Sequence, residues 1–165
     1  MLIFANKVNK KSDKIRMFNL NLPPIQLKIQ QKGNKDYVYD PLRRQYVRLT
    51  PEEYVRQHFV SFLIADKDYP KGLLANEVCI SLGNVTRRCD TVLYDKFLRP
   101  QMIIEYKAPS VAIDQTTFDQ IARYNARLQV SWLIVSNGLQ HYCCFINKEK
   151  GDYAFLKEVP FYKEL

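Results

Sequence analysis

The stretch RCDTVLYDKFLRPQMIIEYKAPS, residues 88–110, contains two apolar runs joined by a short polar segment. Asp90 interrupts the first run, and Glu105 and Lys107 interrupt the second. Both runs are rich in β-branched and aromatic residues, and Arg99-Pro100 marks a loop between them, so they predict two antiparallel strands. If Tyr94 pairs with the residue after Pro100, Asp90 lies directly opposite Glu105, with the two Cβ atoms roughly 5 Å apart.

Two carboxylates at that distance need a cation. They repel each other by about 3 kcal/mol at an effective dielectric constant near 20. Strand alternation puts Lys107 on the face of Glu105, where it supplies part of the positive charge, and a divalent cation with oxygen ligands supplies more. A metal held by Asp90 and Glu105 can polarise a phosphoryl oxygen and activate water, while Lys107 orients that water. The alternative for E-x-K alone is a solvated Glu/Lys pair, and the paired Asp90 favours the metal site.

The residues before this hairpin predict a helix and a first core strand. In residues 49–70 Thr50 caps the helix, Pro51 occupies its first position and Glu53 completes a capping box. His58 lies on the apolar helix face and is predicted to be a packed, hydrogen-bonded core residue. The pattern around the Gly83-Asn84 turn adds a strand antiparallel to the one that contains Asp90.

The residues after the hairpin complete the sheet. A helix over about residues 116–128 leads to SWLIVS, a continuous apolar run that predicts a buried strand parallel to the EYK strand. Turns at Asn137-Gly138 and Gly151 introduce two final strands. The prediction is an α/β (α+β) fold with a central mixed β-sheet flanked by helices.

Length and composition favour one domain with a polyanionic partner. The 165 residues are 47% hydrophobic and carry a formal net charge of +8. Residues 1–44 are predicted to form a basic arm with short strands, including one in residues 23–31, and residues 45–165 the core domain. Met17 leaves open where the native chain starts. No segment reaches the roughly 18 apolar residues of a membrane span, and no basic amphipathic helix is evident, so the expectation is a cytoplasmic protein that binds DNA rather than a membrane.

The cysteine pattern argues against zinc. Cys79, Cys89, Cys143 and Cys144 show no C-x-x-C pair, and the two histidines lack metal-site spacing. All four cysteines are therefore predicted to be reduced core thiols.

The motifs RCDTVLYD, IIEYKAP, FDQIARYN and VSNG, in this order, resemble the N-terminal nuclease domain of type I restriction enzyme R subunits. The chain is most similar to small stand-alone proteins with that domain, within the PD-(D/E)XK nuclease superfamily, and the resemblance covers roughly residues 45–147. It implies a restriction-endonuclease-like core in which Asp90 is the first metal-binding acid and Glu105 and Lys107 are the second acid and the lysine. Cys89 stands where a proline often precedes the first acid. The metal implied is Mg²⁺ or Mn²⁺.

The resemblance adds a helix motif. Gln120 and Tyr124 match a Q-x-x-x-Y element, and their spacing puts both on one helix face beside Arg123. The motif implies DNA contact or support of the site, and a solvated face with an ion pair from Asp119 to Arg123 is the alternative.

Four more residues are candidates. Glu77 either completes the metal site or is a strand-edge charge. Glu53 is most simply the capping-box residue and also a weaker metal-ligand candidate. Arg87 and Arg88 either bind the substrate backbone or are surface charges.

The leading functional hypothesis is a metal-dependent DNA endonuclease. The alternative is a non-catalytic nucleic-acid-binding or assembly module, which clustered acids disfavour because they weaken phosphate binding. The sequence has no G-x-x-x-x-G-K-[ST] loop, so a motor or specificity subunit is a separate polypeptide. Cutting both strands of a duplex with one site per chain favours a homodimer.

Overall fold

The computed structural model describes residues 18–119, 122 and 129–165. Its elements are, in chain order, β1 (Ile29–Lys32), β2 (Lys35–Asp40), β3 (Gln45–Arg48), α1 (Pro51–Asp66), β4 (Leu74–Leu82), β5 (Val85–Tyr94), β6 (Pro100–Tyr106), β7 (Trp132–Ser136), β8 (His141–Asn147) and β9 (Asp152–Leu156). Single 3₁₀ turns lie at Lys71–Leu73 and Tyr162–Glu164.

The larger sheet has six strands in the order β4-β5-β6-β7-β8-β9. All neighbours are antiparallel except β6 and β7, which are parallel. A parallel pair needs a crossover, and the segment after β6 contains a second helix, described over residues 115–119 and at residue 122. Asp114 caps this helix by accepting a 2.7 Å hydrogen bond from the backbone N–H of Thr117. The mixed sheet and the helical crossover are confirmed, and residues 120, 121 and 123–128 of the predicted helix lie outside the described residues.

Helix α1 begins where the sequence predicts. The Thr50 hydroxyl accepts a 3.1 Å hydrogen bond from the Glu53 N–H, and proline occupies the first turn, where a missing N–H costs nothing. Residues Val55 and Phe59 pack against Met102 of β6 on one face of the larger sheet. The crossover covers the opposite sheet face, where apolar side chains of β5, β6 and β7 pack with Phe118.

Strands β1, β2 and β3 form a separate antiparallel sheet on the other side of α1. Val38 of β2 is fully buried and clusters with Leu49 and Tyr54, so α1 lies between the two sheets. This position explains why every residue from 53 to 60 is buried, although the helix has only a weak apolar stripe. The predicted boundary at residue 45 falls between β2 and β3, and the division into an arm and a core domain stays a prediction.

Two of the predicted features are wrong in part. The strand predicted within residues 23–31 begins only at Ile29, because Pro23-Pro24 cannot donate to a ladder and the first paired residue is Ile29, opposite Val38. Cys79 is exposed, whereas the other three cysteines are buried, and all four are reduced thiols. Val78 and Ile80 face the core, so alternation turns Cys79 to the opposite, uncovered side.

His58 is buried, and its Nδ1 lies 2.9 Å from the Tyr54 carbonyl oxygen, which confirms its core role. None of the helices in the described residues is both long and apolar enough to cross a membrane.

Candidate functional site

Three acidic residues, here called the acidic row, lie on three neighbouring strands of the larger sheet: Glu77, Asp90 and Glu105. The pairs Asn76 with Thr91 and Val78 with Cys89 leave Glu77 of β4 opposite Asp90 of β5. Thr91 and Ile104 of β6 form the last pair of the β5–β6 ladder, so Asp90 and Glu105 each lie one residue beyond that pair.

Three pairs of this ladder have the offset that the prediction used, whereas the pairing assumed for Tyr94 is wrong. The alignment of Asp90 with Glu105 itself stays a prediction. A bulge after Leu93 shifts Tyr94 onto Pro100. The bulge absorbs one residue beside the loop and leaves the register of the three preceding pairs unchanged.

The side chains of β4 and β5 switch from one face of the larger sheet to the other at this acidic row. Leu74 and Leu93 pack on the α1 side, whereas Ile80 and Cys89 pack on the opposite side. Glu77 has a φ of 57°, in the left-handed region that costs a non-glycine residue about 1–2 kcal/mol. Strain of this kind persists only where the surroundings over-determine it, and it is common at functional sites.

Asp90 closes the end of the β5–β6 ladder with its side chain. Its Oδ2 accepts a 2.8 Å hydrogen bond from the backbone N–H of Tyr106. The bond fixes the carboxylate beside the end of β6, one residue from Lys107 in sequence. The Asp90 side chain remains 28% exposed, so solvent and small ions reach it.

Arg56 of α1 is the cation that contacts the acidic row. Its Nη2 lies 2.6 Å from Glu77 Oε1 and 3.3 Å from Asp90 Oδ1, and its Nη1 lies 2.9 Å from Glu53 Oε2. The guanidinium carbon also lies 5.7 Å from the ring centre of Tyr106, within cation–π range. Burial lowers the pKa of Arg56, but the three carboxylates more than offset burial and raise that pKa above its ordinary value.

Glu53 makes different contacts from those predicted. Instead of completing a capping box, both its oxygens lie 2.8 Å from Nη2 of Arg43, and Gln57 Nε2 donates to Oε1 at 2.8 Å. With Arg56 also bound, three donor side chains share one carboxylate. These charge-assisted contacts explain the correction, because they are stronger than a bond to a neutral backbone N–H. They also make Glu53 a poor metal ligand.

Asp40 anchors this network to the smaller sheet. The residue is fully buried, and its carboxylate pairs with Nε of Arg43 and accepts a 2.9 Å hydrogen bond from Asn76 Nδ2. Asn76 in turn accepts from the Thr91 hydroxyl at 2.7 Å, which links the network to β5. Burial raises the pKa of Asp40, but the bonds from Asn76 and Arg43 outweigh it and hold that pKa below its ordinary value.

Arg88 pairs with Glu77 on the solvent side. Its Nε contacts Glu77 Oε2, and its side chain is 70% exposed. Burial raises the pKa of Glu77, but Arg56 and Arg88 outweigh burial, so that pKa lies below its usual value. Arg87 pairs through its backbone with Ile80, and its side chain lies outside the described residues.

Glu105 and Lys107 follow each other along the end of β6. Glu105 is half-buried and pairs with Val135 of β7. The backbone N–H of Lys107 donates a 2.9 Å hydrogen bond to the Ser136 carbonyl, so Lys107 continues the strand pairing and shares the face of Glu105. The helix candidates Gln120, Arg123 and Tyr124 lie outside the described residues.

The carboxylate oxygens of this site are chemically suited to a hard divalent cation. Their spatial arrangement suits one only in part. Carboxylate oxygens are the ligands that Mg²⁺ and Mn²⁺ prefer. Across residues 18–119, 122 and 129–165, however, no three His, Cys, Asp or Glu side chains are grouped to hold a metal. Arg56 lies among Glu53, Glu77 and Asp90. The roles of Asp90 and Glu105 as metal ligands stay a prediction.

Sequence analysis missed three charged residues of this network, Asp40, Arg43 and Arg56. Arg56 is the only arginine or lysine of α1, and its place within a run of buried positions is the one signal that could have singled it out. Asp40 and Arg43 flank the β2–β3 turn and give no local sign of a role outside it.

Comparison with known proteins identifies the family. No curated protein matches the sequence. The family model of the type I restriction enzyme R protein N terminus matches residues 51–160 of the 165-residue chain. The match contains α1, the six strands of the larger sheet and all three residues of the acidic row. The chain therefore belongs to the type I restriction enzyme R protein N-terminus family.

Proposed function

We propose that this protein is a metal-dependent nuclease that hydrolyses DNA phosphodiester bonds, with a restriction-endonuclease-like PD-(D/E)XK core. The observation that carries the proposal is the row of Glu77, Asp90 and Glu105 on three adjacent strands, next to Lys107. Like charges on neighbouring strands repel, so such a row needs nearby positive charge. A site that binds a divalent cation and a phosphodiester accounts for this cluster of acidic residues.

Asp90 and Glu105 would hold Mg²⁺ or Mn²⁺, with Glu77 as a further candidate ligand. The bound metal supplies charge stabilisation for a phosphoryl oxygen and lowers the pKa of water. The protein supplies the positions: the Tyr106 N–H fixes one Asp90 oxygen, and Arg56 holds Glu77 and Asp90 at a common cation. Lys107 orients the attacking water or stabilises the charge that develops on the phosphate.

DNA is the proposed substrate and partner. The net charge of +8 favours a polyanion, and the exposed Arg88 beside Glu77 is suited to a phosphate contact. Arg87, Gln120, Arg123 and Tyr124 remain proposed DNA-contact or supporting residues. A cytoplasmic location, a homodimer for double-strand cleavage, and separate motor or specificity subunits belong to the same proposal.

The test is cleavage of supercoiled plasmid and single-stranded DNA with Mg²⁺ or Mn²⁺. We expect Asp90→Asn, Glu105→Gln and Lys107→Met each to lower the rate by about a hundredfold or more, the usual loss for a group that stabilises transition-state charge. EDTA abolishes the reaction. Because Glu149 and Lys150 are exposed in the β8–β9 turn, Glu149→Gln and Lys150→Met are the matched controls that keep full activity. Cleavage that survives in the three site variants would contradict the proposal.

A non-catalytic DNA-binding or assembly module is the second candidate. The observation that favours it is Arg56, whose guanidinium already neutralises Glu53, Glu77 and Asp90. A fixed internal cation can maintain the fold with no metal. Titration calorimetry separates the two functions: a nuclease site binds Mg²⁺ or Mn²⁺ and loses that binding in Asp90→Asn. A wild-type protein that binds DNA and neither metal is the binding module.

A further inference from the structure

The smaller sheet carries a face rich in tyrosine and basic residues. Antiparallel partners share a face, and the pairs Gln30 with Tyr37, Tyr37 with Arg48, and Tyr39 with Tyr46 therefore lie together. We call this the tyrosine–lysine face, and it comprises Lys28, Gln30, Lys32, Lys35, Tyr37, Tyr39, Tyr46 and Arg48.

Direct contacts support this arrangement. Lys28 Nζ lies 5.7 Å from the ring centre of Tyr39, and Lys32 Nζ lies 5.5 Å from that of Tyr37. The rings of Tyr39 and Tyr46 meet edge to face, with centroids 5.4 Å apart. Tyr46 is 42% exposed, and the four cationic residues are exposed.

The acidic residues of the same segment point elsewhere. Asp36 and Asp40 alternate with the tyrosines along β2 and therefore share the opposite face with the buried Val38. Asp40 is fully buried among its donors. Within residues 28–48, all of which the structure describes, the tyrosine–lysine face thus has four cations, three aromatic rings and no carboxylate.

This combination matches the chemistry of a single-stranded nucleic acid. Cationic side chains neutralise phosphates, and aromatic rings stack on unpaired bases whatever their sequence. The extended segment from residue 28, just before β1, to residue 32 rises roughly 14 Å at about 3.4 Å per residue, a length that covers about four stacked nucleotides. A cavity of about 450 Å³ adjoins Lys28 and Tyr39 and adds the polar side chains of Gln57 and Ser61 at its wall.

We propose that the tyrosine–lysine face binds single-stranded DNA, as a second surface separate from the acidic row. The choice of DNA rests on the proposed function; the binding itself needs neither metal nor hydrolysis. The smaller sheet that carries this surface is joined to the acidic row through Asp40, whose carboxylate on the opposite face belongs to the network around Glu53 and Asn76.

The experiment measures fluorescence anisotropy of a labelled 20-nucleotide single strand and of its duplex, with EDTA present so that no cleavage occurs. Tyr46→Ala is expected to weaken single-strand binding about tenfold or more, by removing a stacking ring. Lys32→Ala combined with Arg48→Ala is expected to reduce the slope of log affinity against log salt by about 1.4, or about 0.7 for each lost phosphate contact.

Matched controls come from the larger sheet. Lys148→Ala with Lys150→Ala removes the same charge from the exposed β8–β9 turn, and Tyr153→Ala removes a tyrosine that is 50% exposed on β9. Controls that bind like wild type, together with weakened face variants, support the proposal. Equal losses of single-strand affinity in the face variants and the controls overturn it. The proposal also fails if the lysine–arginine variant weakens duplex binding while Tyr46→Ala leaves single-strand binding unchanged. Thermal unfolding of each variant verifies the fold.

This outcome is independent of catalysis. A protein that fails to cleave DNA and still loses single-strand affinity in the face variants refutes the nuclease and keeps this surface. If the protein cleaves DNA and every face variant binds single strands as well as wild type, this surface is refuted and the nuclease proposal stands.

Discussion

Replacing Arg56 by methionine removes the charge that three carboxylates share and keeps a side chain of similar length. Arg56 and Glu53 have side chains only 5% and 7% exposed, so Glu53 cannot regain full hydration when the guanidinium is lost. Removing one partner of a buried ion pair costs about 3–5 kcal/mol. Glu77 and Asp90 are 19% and 28% exposed and recover some hydration, so we expect the lower end, about 3 kcal/mol.

Thermal unfolding in metal-free buffer at neutral pH measures this cost. For a chain of this length, 1 kcal/mol corresponds to roughly 3 °C in Tm, so the variant should unfold about 9 °C below wild type. The matched control is Arg99→Met, because Arg99 is 71% exposed and pairs with Asp95 at 2.8 Å. An exposed pair contributes less than about 1 kcal/mol, so the control should stay within about 3 °C of wild type.

The pH dependence of the stability difference between wild type and Arg56→Met is a second, independent test. The pKa of Glu77 is lowered in the folded protein from an ordinary value of 4.5, so its stabilising effect is present above that pH and is lost as pH falls through the folded pKa. The gap between wild type and Arg56→Met should therefore narrow below pH 4.5. A variant that unfolds within 3 °C of wild type at neutral pH, or a gap that widens in acid, would refute the role of Arg56 as the shared cation.

Three further predictions concern other parts of the molecule. Asp40→Asn should cost about 2 kcal/mol at neutral pH, as expected for a lost charged hydrogen bond. Its wild-type pKa lies below 3.8, so wild type should lose this advantage as pH falls below 3.8, whereas the urea-unfolding midpoint of the variant should change less. Gly138→Ala should cost about 1–3 kcal/mol more than Gly151→Ala in urea unfolding: both glycines have positive φ, but only at Gly138 would the new Cβ come within 2.7 Å of Leu20, and equal losses would contradict this. One thiol per native chain should react rapidly with a thiol reagent and disappear in Cys79→Ser, because the other three cysteines are buried; rapid reaction of more than one thiol would count against this.

Local rules predicted much of the fold. Thr50 and Pro51 mark the start of α1, because helix capping depends on residues within one turn. The antiparallel pairing of β5 with β6 follows from two apolar runs and a short loop, and three of its pairs keep the predicted offset despite the unforeseen bulge at Leu93. The family motifs also lie in this part of the chain, within residues 51–160.

The contacts of the site were less predictable. The capping-box role of Glu53 was wrong because Arg43, ten residues away in sequence, competes for its carboxylate. Cys79 was misplaced because a run of apolar residues does not reveal which alternate positions of an edge strand lack a cover. The roles of Asp90, Glu105 and Lys107 in catalysis stay predictions.

The sequence by itself determined the order of strands and helices, the parallel crossover and the placement of acids on neighbouring strands, since these depend on spacing over a few residues. Only the tertiary structure decided which cation meets those acids. Arg56 lies 21 residues from Glu77 and 34 from Asp90, and it meets both because α1 packs between two sheets. No periodicity encodes a contact at such separation, because it forms when buried surfaces assemble and desolvated charges must find partners.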